Sequence, residues 1–374
     1  ITKLTWDNAL LMSPRMAKKF NLVFQDMVKV VKGAFSVELP VYILPGHADN
    51  TLSVSLGYGQ GFGRVGKGTG FDVYPLRTML DFYQSSTVSL IKTNTRYELA
   101  STQEHGSMEG RALYREAPID RYRDHPDFAK EMVETPPLKS LFDERPYDTG
   151  YQWGMSIDLS RCTGCNSCVV ACQSENNIPL QKKSDYDENR VIQWIRVERY
   201  WEGSFPDVKA RFIPIMCQHC DEAPCEPVCP VYASYHNEEG LNVQVYNRCI
   251  GTRFCANNCP YQVRFFNFWE AEWPESLKNQ LNPDVTVRSR GIMEKCTFCI
   301  QRIRRTKRDA KVNGFEIDDG AREINPACVN SCSTEALIFG DMNDSESKIS
   351  KIKAKEEKKG GRGYHLMEHY GTSP

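Results

Sequence analysis

The sequence predicts an α+β protein in which a β-rich, barrel-like module precedes a domain of two pseudo-symmetric halves built around cysteine-ligated centres. Three observations carry this expectation. Residues 1–110 show short alternating apolar runs separated by glycine turns, the pattern of strands. Residues 111–150 are polar and carry Pro118, Pro126, Pro136, Pro137 and Pro146, which marks a linker. All fifteen cysteines then fall into four groups between residues 162 and 332. At 374 residues the chain has room for two or three domains.

In chain order, Ser13 and Pro14 suit the N-cap and first position of a short helix. Met27–Val31, a turn at Lys32-Gly33 and Phe35–Leu44 read as a hairpin. Thr51–Leu56 and Phe71–Tyr74 continue the strand pattern, and Ser86–Ile91 with Tyr97–Ser101 suggest a second hairpin. The loop from Gly57 to Gly70 contains Gly61-x-Gly63-x-x-Gly66, the spacing of a dinucleotide fingerprint. That fingerprint has force only where it opens a helix. Gly68, Gly70 and Pro75 oppose a helix here, so the segment reads as a flexible barrel loop. The linker has room for one helix near Asp127–Val133. A strand from Trp153 to Asp158 leads into a cysteine-rich domain spanning 151–343, and Ala336–Asp341 reads as its last strand. Residues 344–374 are rich in Lys, Glu and Gly and predict an extended or partner-bound tail.

Composition excludes several functions. The net charge of −1 gives no sign of nucleic-acid binding. No apolar run reaches the ~18 residues of a membrane-spanning helix. No C-x2-C-H occurs, so no c-type haem is expected in this chain. The chain starts at Ile1 within a pattern that already looks folded, which reads as the C-terminal part of a longer polypeptide. No Ser/His/Asp set, carboxylate pair or P-loop points to a catalytic centre. The expectation is an electron wire rather than a catalyst of bond chemistry.

The cysteine groups are Cys162, Cys165, Cys168 and Cys172; Cys217, Cys220, Cys225 and Cys229; Cys249, Cys255 and Cys259; and the split Cys296, Cys299, Cys328 and Cys332. An odd count and tight spacing oppose disulfides. A zinc-stabilised scaffold remains an alternative, since Cys296 and Cys299 alone resemble half of a zinc site. The first group has the C-x2-C-x2-C-x3-C spacing of bacterial ferredoxins, in which the fourth cysteine ligates the other cluster of a pair. Applied to the whole chain, that exchange gives four ligand sets. Cys162, Cys165, Cys168 and Cys332 form one; Cys172, Cys296, Cys299 and Cys328 form another; Cys217, Cys220, Cys225 and Cys259 form a third. The last holds Cys229, Cys249 and Cys255, with Thr252 where a fourth ligand would stand. Iron clusters want soft thiolate, and a neutral hydroxyl is a poor substitute. Three [4Fe-4S] clusters and one [3Fe-4S] cluster are therefore expected, the alternative being that water or Thr252 retains a fourth iron.

Two features stay open. His219, inside the second group, would hydrogen-bond a cluster sulfur, face a partner's cofactor, or be solvated or purely structural. Arg288, Arg290, Lys295, Arg302, Arg304, Arg305, Lys307 and Arg308 would offset cluster charge or dock an acidic partner.

The segments Cys162–Pro179, Cys217–Pro230, Cys249–Phe268 and Lys295–Gly340 resemble the four-cluster ferredoxin subunits of the molybdopterin oxidoreductase superfamily, including those of dimethyl sulfoxide, polysulfide and nitrate reductases. Two departures stand out: Gln173 and Ser333 replace the proline that follows the fourth cysteine, and Thr252 replaces a cysteine that the dimethyl sulfoxide type has and the nitrate type lacks. Trp6-Asp-Asn8, Leu39–Gly46, Leu56–Gly59 and Tyr74–Leu76 resemble the C-terminal barrel of a molybdopterin-type catalytic subunit. Such a fusion resembles the iron–sulfur subunit of alternative complex III, a bacterial quinol-oxidising complex. The resemblance implies a barrel without molybdopterin and a place on the periplasmic side of the cytoplasmic membrane, after export of the folded protein. It also implies an integral membrane quinol-binding subunit and multihaem cytochrome c subunits as partners, with cytochrome c or an oxidase as the acceptor. The iron–sulfur module of a true molybdopterin reductase is the alternative.

Overall fold

A computed structural model describes residues 1–63, 66–85, 87–136, 140, 145–318 and 324–373. Ser86, Pro137 and positions 64 and 65 of the glycine loop, all named above, lie outside the described residues. The chain divides into two units. The first holds residues 1–107, 181–191 and 199–211, and the second holds 108–180, 192–198 and 212–374.

In the first unit the alternating run before the Lys32-Gly33 turn becomes β2 (Asp26–Lys32), preceded by β1 (Leu10–Met12) and followed by β3 (Phe35–Ile43) and β4 (Ser89–Arg96). They form one four-stranded sheet in the order β1-β3-β2-β4, with β1 parallel to β3 and the other pairs antiparallel. Period-two alternation places Val28, Val30, Leu39 and Val41 on one packed face with Leu10, Met12, Ala17 and Leu22. Ser13 caps the helix Pro14–Lys19 through a 3.1 Å bond from the Met16 N–H.

Two expectations change here. No closed barrel forms among the described residues: the sheet is open, with β1 and β4 at its edges. The outer strand β4 is largely exposed, so no second apolar layer draws the edges together. The expected second hairpin is absent as well. Residues before Arg96 pair with β2, whereas Ala100 and Ser101 meet Thr5 and Leu4 instead.

The glycine loop opens no α-helix; only a short 3-10 turn, Tyr74–Leu76, follows it. Asp7 and Asn8 pin the loop. Asp7 accepts from the Gly70 N–H at 2.7 Å, and Asn8 accepts from the Phe71 N–H at 2.8 Å while donating to the Ser55 and Phe71 carbonyls. Gly59 has φ +81°, and a Cβ there would lie 2.3 Å from the Asp72 nitrogen, so close backbone approach requires glycine. The other Asp7 oxygen pairs with Lys183 at 2.8 Å.

Among the described residues the second unit has no large sheet. It is built from strand pairs: β5 (Trp153–Ile157) with β12 (Leu337–Asp341), β8 (Ser234–His236) with β9 (Asn242–Gln244), and β10 (Phe265–Phe266) with β11 (Met293–Glu294). A further pair, β6 (Ile195–Glu202) and β7 (Lys209–Met216), contributes its turn-end residues 199–211 to the first unit. The register Trp153↔Asp341 to Ile157↔Leu337 ties the strand before the first cysteine group to the strand after the last. The short helix expected near Asp127 forms over Phe128–Glu131. The last residues are not an extended tail. Ser347 caps a helix Lys348–Glu356, and Thr372 returns to a buried 2.8 Å contact with the Tyr261 hydroxyl. No helix among the described residues is long and apolar enough to cross a membrane.

Candidate iron–sulfur centres

Each cysteine group sits where a left-handed residue reverses the chain and aims backbone N–H groups at sulfur. Asn166 at φ 63° precedes the helix Ser167–Glu175, which carries Cys168 and Cys172. Arg253 at φ 63° precedes the helix Phe254–Asn257, which carries Cys255. Cys299 itself, at φ 52°, opens the long helix Ile300–Asn313. Gly164 at φ +70° would bring a Cβ within 2.5 Å of the Phe212 ring, so the first loop closes only around glycine.

Three cysteines share a further turn. After Cys229, Cys259 and Cys332, the third residue on is left-handed: Tyr232 at 51°, Gln262 at 51° and Glu335 at 50°. The next N–H then points back at the sulfur. Ala233 donates to Cys229 Sγ at 3.1 Å and Ala336 to Cys332 Sγ at 3.2 Å, and the Val263 N–H does the same for Cys259. Cys332 takes this turn without the proline found after Cys229 and Cys259. Cys172 does not. It stays inside its helix, and the Asn176 side chain supplies the donor, 3.5 Å from Cys172 Sγ and 3.7 Å from Cys299 Sγ. Other N–H groups reach Cys249 from Met293 at 3.3 Å, Cys296 from Phe298 at 3.4 Å and Cys299 from Ala327 at 3.4 Å. Each such bond favours thiolate over thiol.

The electrostatics show which cysteines the fold brings together. Burial pushes the Cys172 thiol well up, and the charges of Cys296, Cys299 and Cys328 push it further. Burial, then Cys162, Cys165 and Cys332, raise Cys168 to about 12. Burial, then Cys217, raise Cys220, with Cys225 and Cys259 adding to the effect. The charges thus act across the groups: the fourth group on Cys172, Cys332 on the first group, and Cys259 on the second. For Cys229, Cys249 and Cys255 the link is indirect. The buried Arg264 guanidinium, which burial disfavours and the charges of Cys225, Cys255 and Cys217 favour, also helps hold Cys229 below its usual range. In Cys229 burial acts upward, but the N–H groups of Val231, Ala233 and Ser234 outweigh it. Thr252 is exposed.

The sets also act on one another. Cys328 is raised by burial and by its own set, and Cys168 of the first set adds to it. Cys296 is raised to about 12 by burial, and Cys217 of the set around the second group contributes. Arg264 then joins Cys217 and Cys225 to Cys255. These charge contributions link the groups in the order first, fourth, second, third.

These donors fit iron–sulfur clusters. Buried thiols that repel one another this strongly ionise together only around a compensating cationic centre. Among the described residues no three His, Cys, Asp or Glu side chains converge on a point suited to a single metal ion. A cluster makes a different demand, because each thiolate binds its own iron corner and the sulfurs stand further apart. When bound, such clusters supply one-electron chemistry. The chain's own part is to hold the thiolates, exclude water and place N–H donors on sulfur.

Both open features resolve in part. His219 is buried and stacks on Phe298 with ring centres 4.1 Å apart. Burial, then Lys295, His236 and Arg264, hold its ring well below the usual range, so it is neutral and not a solvated histidine. Most of the basic stretch is already paired: Arg288 with Glu294, Arg302 with Glu175, Arg305 with Asp284, Lys307 with Glu239 and Arg308 with Asp309. Lys295 instead donates to Cys217 Sγ at 3.3 Å and to the Cys296 carbonyl at 2.7 Å. The sequence reading did not single out Arg264, Asn176 or Thr372. The only signal was position: Asn176 lies one helical turn after Cys172, and Arg264 lies one residue beyond the turn that follows Cys259.

The family described as 4Fe-4S dicluster domain matches residues 161–233 and, through a second member of that description, residues 208–275. The iron–sulfur cluster-binding subunit of a menaquinone reductase from Nitratidesulfovibrio vulgaris is 41% identical over 228 residues, 60% of this chain and 86% of that protein. Iron–sulfur subunit 1 of an Hdr-like menaquinol oxidoreductase from Archaeoglobus fulgidus is 36% identical, covering 60% of this chain and 85% of its own length. The iron–sulfur subunit of an arsenate respiratory reductase from a Shewanella species is 34% identical over 53% of this chain and 86% of its own.

Proposed function

Because the chain belongs to the family of iron–sulfur electron-transfer subunits of respiratory oxidoreductase complexes, we propose that it is the relay of a quinol-oxidising membrane complex of the alternative complex III type. In this reading it carries electrons through three [4Fe-4S] clusters and one [3Fe-4S] cluster on the periplasmic side of the membrane. Quinol is oxidised in an integral membrane subunit, and multihaem cytochrome c subunits lead to cytochrome c or an oxidase. The first unit carries no molybdopterin and serves to orient the relay.

The reading rests on an exchange of fourth ligands. It is supported by the charges of Cys296, Cys299 and Cys328, which raise Cys172 beyond the effect of burial, and by that of Cys332, which adds to the rise of Cys162 and Cys168. Only paired clusters give a reason for two cysteines at matched positions to cross over in this way. A menaquinone reductase subunit and a menaquinol oxidoreductase subunit among the relatives support a quinone-linked complex, and the second supports quinol as the reductant. The charge links between the groups support a wire that begins at one end set and leaves at the other.

Thr252 offers the sharpest test. In the assembled complex the oxidised third-group cluster should give a near-isotropic paramagnetic signal that mild reduction removes. Thr252→Cys should admit a fourth iron, abolish that signal and slow quinol oxidation, leaving the other clusters intact. A variant that keeps the three-iron signal and full activity overturns the assignment. Molybdenum in the purified complex, held with this chain, would favour the alternative, the iron–sulfur module of a molybdopterin reductase.

A further inference from the structure

Two strongly basic side chains in the second unit are almost wholly buried, yet they are satisfied differently. Arg288 is paired with Glu294 at 2.9 Å, and both side chains are fully buried. Lys295, next to Glu294 in sequence and also fully buried, makes no carboxylate pair among the described residues; its bonds go to Cys217 Sγ and the Cys296 carbonyl. A buried ammonium without a counter-charge costs several kcal/mol. Its counter-charge must therefore come from the thiolates. Its field lowers Cys225 of one set and Cys296 of the next, although burial dominates at both and raises them. Cys217 and Cys296 belong to different proposed sets, and the charge of Cys217 acts on Cys296.

We propose that Lys295 is a positioning residue for electron transfer between the two halves, acting as the shared counter-ion of the two central clusters. This inference rests on the cluster reading above. Reduction adds one negative charge to a cluster. An ammonium on Cys217 Sγ stabilises that added charge and raises the midpoint potential of the second-group cluster, and by a smaller amount that of the fourth-group cluster. One electron leaves the reduced cluster of one half and enters the oxidised cluster of the other; no bond forms or breaks and no proton is needed. The lysine thus keeps the central step of the wire from becoming an uphill barrier. Arg264 holds the analogous place between the second and third sets, but it is tied to Gln244, Ser234 and Asn242 and so serves the local fold as well.

The test uses the intact complex. Lys295→Met and Lys295→Arg are compared with the native protein by iron and sulfide analysis and by redox titration followed by electron paramagnetic resonance. The expected result is full iron content in both, lowered midpoint potentials of the two central clusters in Lys295→Met, a larger fall for the second-group cluster, and recovery in Lys295→Arg. Unchanged potentials in a fully loaded Lys295→Met protein overturn the inference and leave the cluster reading standing. A native protein without iron or sulfide overturns the cluster reading itself. If Lys295→Met does not load, native protein labelled with ¹⁵N only at lysine carries the test. The reduced second-group cluster should show a lysine nitrogen coupling, and its absence overturns the inference.

Discussion

The two units hold themselves together by different means. The first has a conventional apolar face: Met12, Val28, Leu39 and Val41 are almost wholly buried in one cluster behind a four-stranded sheet. Among the described residues the second has only paired strands, several just two or three residues long, and its interior mixes apolar side chains such as Trp194, Leu241, Ile303 and Phe339 with Arg264, Arg288, Glu294, Lys295, Asn176, Asn242 and Asn267. Buried polar groups at that density specify a fold only when each is satisfied, and here several are satisfied by cysteine sulfur or by the loops around it. The lesson is that one unit packs a single apolar sheet face, whereas the other combines apolar packing around Trp194, Leu241, Ile303 and Phe339 with mutually repelling thiols that a bound metal would compensate.

The largest effect that could break this contrast is removal of iron. Metal binding energy in such a domain is folding energy. Reductive chelation of the assembled protein should erase amide exchange protection across β5, β8, β9 and β12, while amides of β2 and β3 stay protected. Hydrogen exchange read by mass spectrometry checks this. Equal loss in both units would show that the first also depends on the clusters, and no loss in either would show that the second does not.

How much of this was legible in the residues follows the same division. In the first unit the hairpin β2–β3 could be read from alternation and one glycine turn, because both signals are local. The barrel could not, because closure depends on whether edge strands find partners, and the exposed β4 leaves them unpaired. In the second unit the four cysteine groups were legible from their spacing, and the proposed ligand sets rest on the exchange rule of paired ferredoxin clusters. The counter-charges were not legible. Lys295 read as one of eight basic residues; only the tertiary structure separates it from Lys307 and Arg305, which face carboxylates. The composition of residues 344–374 hid a capped helix, because Lys and Glu are good helix formers as well as good solvators. The return of Thr372 to Tyr261 is a long-range contact with no local signature.

A second prediction sharpens the contrast from the other side. Leu39 is fully buried in the apolar cluster of the first unit. Leu39→Ala should cost that unit about 2–5 kcal/mol through lost burial and the cavity left behind. Its first thermal transition should fall, while iron content, visible absorption and cluster signals remain native. Loss of clusters in this variant would mean that the second unit does not hold its metal independently of the apolar face.

The smallest expected effect concerns charge in the first unit, where no metal intervenes. Asp26 accepts from the Val23 N–H at 2.9 Å and from Lys92 Nζ at 2.8 Å. Burial pushes its carboxyl up, but the Lys92 and Val23 bonds outweigh it and leave it below the usual carboxylate range. A carboxyl lowered in the folded state contributes stability above its unfolded value, about pH 4, and loses it as pH falls through the folded value. Lys92 is partly exposed, with 41% of its side chain open to solvent, so screening limits the pair to roughly 0.2–1 kcal/mol. Asp26→Asn should therefore lower the stability of the first unit slightly at pH 7 and flatten its acid dependence below pH 4. The difference from native protein should shrink further in high salt, because a pair open to water is screened. Chelation midpoints and cluster potentials should not move. If Asp26→Asn alters them, charge in the first unit is coupled to the clusters, and the two units are not held together by separate means.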